Sequence, residues 1–317
     1  MHVAPRRLGS WGYEVGSVGL GCMSMTGVYD VEQRQDERSE QTIRRALDLG
    51  VTLIDTADSY GPFTNELLVG RAVAGNPDAV LSTKVGLVGR SDGQQLRNAR
   101  PDHIVSAADA SLRRLRAERI DLYTLHTSDP DVPLADSWEA MAGLVAAGKV
   151  RSLGLMTTHP EVVAHVQQHF PVTAVFTEFS LWRQGSRELI DWCASRDISV
   201  LATSPLGRGF LTGTLSPSRT FAWTDLRSKL PQFSAESLAD NRTVVDRLKS
   251  VARRHRATPA QVALAWVQAQ GEHIVPLMGT KRPDHLEENA RAAELRLTED
   301  DFAQLAGADP EADGASV

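Results

Sequence analysis

A repeated rhythm constrains this chain more than any other feature. A strand-sized apolar run is followed by a turn and then an amphipathic helix, and the unit recurs along most of the length. Strands are expected at residues 18–21, 51–55, 79–84, 120–126, 151–155, 173–177, 198–202 and 274–276. Helices are expected at 39–49, 65–74, 102–115, 135–147, 160–169, 186–195, 259–269 and 283–292. The strands are apolar almost throughout rather than alternating, which implies a parallel sheet covered on both faces. Eight such units predict an α/β fold closed into a (β/α)8 TIM barrel. An open doubly wound sheet is the alternative, but it wants a Gly-x-Gly-x-x-Gly turn after the first strand, and Gly19-Leu20-Gly21 opens no helix.

Punctuation supports this reading. Pro101, Pro160, Pro259 and Pro283 stand near helix starts, where a missing N–H costs nothing, and Gly50 and Gly148 end helices. A hairpin over residues 7–15 is expected to plug one end of the barrel, and a helix at 237–255 is an addition to the repeat. Residues 207–237 show no period and read as a long loop of the kind that shapes a pocket. Barrels of this length are commonly one unit, so residues 1–317 are read as a single domain, with 307–317 expected to be a disordered tail.

Composition excludes several functions. A net charge of -6 argues against a nucleic-acid footprint or an anionic membrane partner. No apolar run approaches the ~20 residues of a membrane span. Cys22 and Cys193 have no paired spacing, so neither a disulfide framework nor a metal site is expected, and a cytoplasmic location fits best.

Chemistry concentrates where the expected strands end. Asp55, Lys84 and His126 close three of the apolar runs, and Tyr60 follows five residues after the first of them. In a barrel the C-terminal strand ends carry the active site. Singly, each residue has a plainer reading: a helix cap for the Asp, packing for the Tyr, a core position for the His. Together on one rim, a carboxylate, a phenol, an ammonium and an imidazole read as an acid/base site. His159, His165, His169 and His273 have no such company and are expected to be solvated or structural.

These residues also sit in recognisable motifs. Asp55-Thr56-Ala57-Asp58-Ser59-Tyr60-Gly61, with Asn65-Glu66 and Gly70, resembles the signature of the aldo-keto reductases. So do the stretch from Leu122 to His126 with Asp129-Pro130, and Gly148-Lys149-Val150-Arg151 with Gly154. Ser204-Pro205-Leu206-Gly207-Arg208-Gly209, Gly279-Thr280-Lys281-Arg282 and Glu287-Glu288-Asn289 are similar to the same family, in register from about residue 8 to 305.

The resemblance implies NADPH-dependent reduction of a small carbonyl compound. Tyr60 would be the general acid, Lys84 would lower its pKa, Asp55 would hold Lys84, and His126 would orient the carbonyl. Thr280, Lys281 and Arg282, after Gly279, would take the 2′-phosphate of NADPH, with Glu288 and Asn289 on adenine. Ser204, Leu206, Gly207 and Gly209 would offer backbone N–H groups to the pyrophosphate. Tyr29, Phe63, Trp182 and Trp223 are candidate substrate-pocket residues, with Phe210 and Phe221 beside them.

The nicotinamide side departs from the family. Met156 and Thr157 replace a Ser followed by Asn or Glu, Phe176 replaces a Gln, and Thr203 replaces a stacking Tyr. Such losses would cost about 2–4 kcal/mol of ring positioning. Phe176 is the candidate to stack on the ring instead. Two other readings follow from the altered pocket: a non-redox dehydratase, lyase or isomerase using the same quartet, and a nucleotide-sensing binding protein.

Overall fold

The computed structural model describes residues 2–9, 13–29, 34–89 and 95–307. Eight parallel strands close on themselves: β3 (Gly19–Gly21), β4 (Leu53–Asp55), β5 (Val80–Val85), β8 (Ile120–Leu125), β9 (Val150–Met156), β10 (Ala174–Glu178), β11 (Ser199–Thr203) and β12 (Ile274–Gly279). They stand in that order, β12 returning to β3. Register brings the chemistry to one edge: Gly21 pairs with Asp55, Asp55 with Ser82, and Lys84 with Thr124.

Helices cover the outside of this barrel: α1 (Asp36–Asp48), α2 (Thr64–Val73), α3 (Pro101–Leu115), α4 (Leu134–Ala146), α5 (Pro160–Val166), α6 (Arg187–Ala194), α9 (Pro259–Gln268) and α10 (Pro283–Ala290). Each turns an apolar stripe inward, as Ile43, Ala46 and Leu47 do on α1. Pro stands in the first turn of α3, α5, α9 and α10, and Thr258 and Gln261 form a reciprocal capping box at α9.

The antiparallel hairpin β1 (Pro5–Leu8) and β2 (Tyr13–Gly16) closes the bottom. Its Leu8, Tyr13 and Val15 join Leu53, Leu122, Phe176, Leu201, Val275 and Leu277 in the barrel's interior cluster. Tyr13 fixes the plug with a 2.7 Å hydrogen bond to the Ser152 hydroxyl.

The structure adds detail that the rhythm does not carry. A small hairpin, β6 (Leu87–Gly89) with β7 (Gln95–Arg97), follows β5. The helix expected at 237–255 is two, α7 (Ala235–Asp240) and α8 (Arg242–His255). Asn241 sits at the break, donating to Ser237 O at 2.8 Å and accepting the Trp182 indole N–H at 3.1 Å. The long loop is broken by 3-10 turns at Gly207–Thr212, Leu226–Lys229 and Pro231–Phe233.

A last helix, α11 (Glu299–Leu305), docks on α8 through the buried Asp301, which meets Arg254 and His255. Of the tail expected at 307–317, only Gly307 falls within the described residues. No helix among the described residues is long and apolar enough to cross a membrane.

Candidate active site

The end of β4 and the end of β5 are tied together before any side chain is considered. Thr56 N donates to Ser82 O at 2.9 Å, and Asp58 N to Lys84 O at 3.3 Å. That stitching folds the turn after Asp55 back over the barrel and aims Tyr60 across Lys84. Gly61 makes the next corner at a φ of +66°, where a Cβ would lie 2.5 Å from Thr64 Oγ1. Asn65 then brackets three segments. It donates to Cys22 O at 2.9 Å and Thr26 Oγ1 at 2.8 Å, and accepts from Thr56 Oγ1 at 2.6 Å.

Inside this frame Lys84 is fully buried. Its Nζ donates to Asp55 Oδ2 at 2.6 Å and to Thr56 O at 2.7 Å, and it hydrogen-bonds the Tyr60 hydroxyl. Ser82 Oγ holds the other carboxylate oxygen of Asp55 at 2.8 Å. Burial is the largest single influence and opposes the Lys84 charge, but Asp55 and Tyr60 together outweigh it and hold the ammonium above its ordinary pKa. Burial likewise pushes the Asp55 carboxyl up, against the pull of Lys84. Burial is also the largest influence on Tyr60 and raises its phenol, with Lys84 pulling it down. The Tyr60 side chain itself is half-buried at the mouth.

His126 completes the quartet at the end of β8. Its ring meets Tyr60 edge-to-face, centroids 5.9 Å apart. Burial first, and the Lys84 charge second, bring its pKa down to about 3, so the imidazole is neutral at physiological pH. Its buried Nδ1 has no hydrogen-bond partner. The structure thus brings Asp55, Tyr60, Lys84 and His126 into one cup.

A second buried polar group lies behind them, built from motif residues to which the sequence assigns no role. Glu66 accepts from Thr83 Oγ1 and from Arg114 Nε, both at 2.6 Å. Beside it the Asp58 carboxyl is pushed up to about 8, by burial first and then by the Glu66 charge.

The opposite rim carries the residues expected to hold a dinucleotide. Ser204, Gly207, Arg208 and Gly209 all have positive φ, winding a tight turn after β11. Leu206 lies within it. The Gly21 and Gly279 positions are open, the nearest atom to an added Cβ lying 3.9 Å away. Thr280 Oγ1 accepts from Arg282 N at 3.2 Å, and Lys281 lies between them. Arg282 is already engaged by Asp284, Nε to Oδ1 at 3.1 Å and Nη2 to Oδ2 at 2.5 Å. Glu288 O takes a hydrogen bond from Gln261 at 2.8 Å, and Asn289 is buried on α10. Cationic groups after β12, a left-handed turn after β11 and open glycines between them fit an extended, anionic dinucleotide.

The remaining expected residues separate. Met156 and Thr203 are half-buried at the mouth, whereas Phe176 is fully buried and turns no open face to a nicotinamide ring. Trp182 is buried beneath the Gly207 turn, 4.2 Å from the Phe210 ring by centroids, and packs the loop rather than lining the mouth. Tyr29 is half-buried under the Arg227 guanidinium at 4.9 Å, Phe63 is half-exposed under Arg114, and Trp223 stands 82% exposed. An ion pair unread in the sequence spans the rim, Arg208 to Glu178, with both contacts at 2.8 Å. No cluster of metal-ligating side chains occurs among the described residues.

Comparison with known proteins agrees with this geometry. The sequence model of the aldo/keto reductase family matches residues 17–310. A probable aldo-keto reductase 1 from Glycine max is 36% identical over 316 residues, covering 99% of this chain and 91% of that protein. Among solved structures, a glycerol dehydrogenase from Gluconobacter oxydans superposes with a TM-score of 0.87 at 29% identity, covering 96% of this chain and 94% of that one. An aldo/keto reductase from Klebsiella pneumoniae, solved with NADP and acetate, gives a TM-score of 0.72 at 26% identity, covering 96% and 94%.

Proposed function

The chain belongs to the aldo/keto reductase family of oxidoreductases, and we propose that it reduces a small or medium-sized aldehyde or ketone with NADPH. The observation that carries this reading is the dry Lys84 ammonium, shared between the Asp55 carboxylate and the Tyr60 hydroxyl. When bound, the nicotinamide supplies the hydride to the carbonyl carbon. Tyr60 delivers its hydroxyl proton to the carbonyl oxygen. Lys84 stabilises the phenolate left behind, because a cation in hydrogen-bond contact favours the charged phenol. Neutral His126 donates a hydrogen bond to the same oxygen and helps hold it as charge develops.

At the far end Thr280, Lys281 and Arg282 would hold the 2′-phosphate, Glu288 and Asn289 the adenine, and the left-handed turn of Ser204, Leu206, Gly207 and Gly209 the pyrophosphate. Family relatives solved with NADP and with NADPH support that choice. Met156 and Thr203, half-buried at the mouth, carry no charge, which favours an apolar substrate over a charged one.

The test is direct. Purified protein is mixed with NADPH and a panel of aldehydes, ketones and quinones, and loss of NADPH absorbance is followed. Consumption that vanishes in Tyr60→Phe is expected. No consumption with any member of the panel, despite tight nucleotide binding, would overturn the proposal in favour of a binding protein.

A further inference from the structure

Phe176 occupies the middle of β10, paired with Leu201 on one side and Met156 on the other. Its ring needs the neighbouring glycine. A Cβ at Gly154 would press the ring at 3.3 Å from Phe176 Cε2 and would collide with Thr124 Oγ1 at 2.4 Å, so glycine leaves the ring its close approach to β9. The ring lies under Lys84, with Nζ 5.0 Å from its centroid. The Tyr60 ring centroid is 5.2 Å from the same nitrogen.

These distances define how Lys84 is enclosed. An ammonium has three N–H groups. Here they are used by Asp55 Oδ2, Thr56 O and the Tyr60 hydroxyl. What remains of its surface is covered by two aromatic rings, and Lys84 is left 1% exposed. A ring face attracts a cation while excluding water. Without water, the charge is screened less and acts more strongly on its neighbours.

We propose that Phe176 is a positioning residue for proton transfer, sealing Lys84 from water and pressing its charge against the Tyr60 hydroxyl. The idea rests on Tyr60 being the acid of the reaction. Other titratable groups face the pair: Asp55 from β4, Cys22 from the turn after β3, Asp58 from the turn after β4, and His126 from β8. The sign is fixed by electrostatics. The Lys84 field favours phenolate, so diluting it makes Tyr60 a weaker acid.

Two variants separate the ring face from bulk packing. Phe176→Leu keeps the apolar character and most of the bulk and removes the π face. Phe176→Met does the same with a flexible side chain that tolerates an irregular gap. The Tyr60 phenol is titrated by ultraviolet difference in the nucleotide-free protein, with a Tyr60→Phe background subtracted, since the chain has 4 tyrosines. The expected result is a Tyr60 midpoint about one pH unit higher in both variants, a tenfold weaker acid. The alkaline limb of kcat/KM for reduction moves up with it, kcat at neutral pH falls several-fold, and nucleotide affinity stays within about twofold. A midpoint identical in the parent and in whichever variants fold would overturn the proposal and leave Phe176 as packing. A shifted midpoint without any NADPH consumption would sink the proposed reaction but not the role of Phe176.

Discussion

On the side of the mouth built by β4 and β5, the candidate side chains are held by short polar contacts to named partners: Lys84 by Asp55 and Thr56, Asp55 by Ser82, and the turn carrying Tyr60 by Asn65. On the side built by β9, β10 and β11, Met156, Phe176 and Thr203 keep their places by packing and by strand register alone. Polar geometry tolerates little change, because a displaced partner leaves a buried charge unpaired. Packing tolerates substitutions of similar volume. The contrast explains how one side can match a family signature residue for residue while the other departs from it.

Substitutions on the two sides should therefore behave differently. The largest effect is expected from Tyr60→Phe, which removes the proposed proton donor and little volume. Turnover should fall about a thousandfold while NADPH affinity, measured by fluorescence titration, stays within twofold. Equal losses in both would erase the distinction. Lys84→Met should cost about a hundredfold in kcat and also about 3–5 kcal/mol of stability in urea denaturation, because Asp55 is left buried and unpaired. Met156→Leu on the packed side should cost less than about 1.5 kcal/mol.

A pH experiment sharpens the polar side further. The folded Asp58 carboxyl titrates near about 8, far above its unfolded value, so the folded state holds a proton that the unfolded state gives up. Stability from this group is full below the unfolded pKa, declines as pH rises towards 8, and is flat above. Asp58→Asn keeps the shape and removes the titration. Its stability advantage, on the order of 1–3 kcal/mol, should grow between pH 4 and 8, and a constant difference across that window would refute the assignment.

Thr203→Tyr, which restores an aromatic beside the mouth, should raise kcat by about three- to tenfold with no change in the pH profile. The smallest effect is expected at the adenine end. Asp284→Ala frees Arg282 from a carboxylate that competes with the 2′-phosphate, so the NADPH Kd should tighten a fewfold with NADH unchanged.

Much of this was readable before any coordinates. The strands were, because buried parallel strands are short apolar runs, and their observed bounds lie within a few residues of those expected. The quartet was nameable because three of its members end such runs. What the sequence concealed has physical causes. The β6–β7 hairpin is three residues a side and carries no apolar pattern. Leu238, Val244, Val245, Leu248 and Val251 keep one helical stripe across Asn241, so periodicity could not expose the break there. The Arg208–Glu178 pair joins the end of β10 to the turn after β11, Asp58 looks like any loop acid until its burial is known, and Trp182 reads as a pocket aromatic until Asn241 is seen holding its indole.

The stopper formed by Leu8, Tyr13 and Val15 leaves the barrel a vessel with one doorway. Whatever reacts in the cup has to enter by it. On the proposed reading, a dinucleotide lying along the rim from Thr280 to Ser204 would be fitted while the cup is vacant, with the smaller guest following it in.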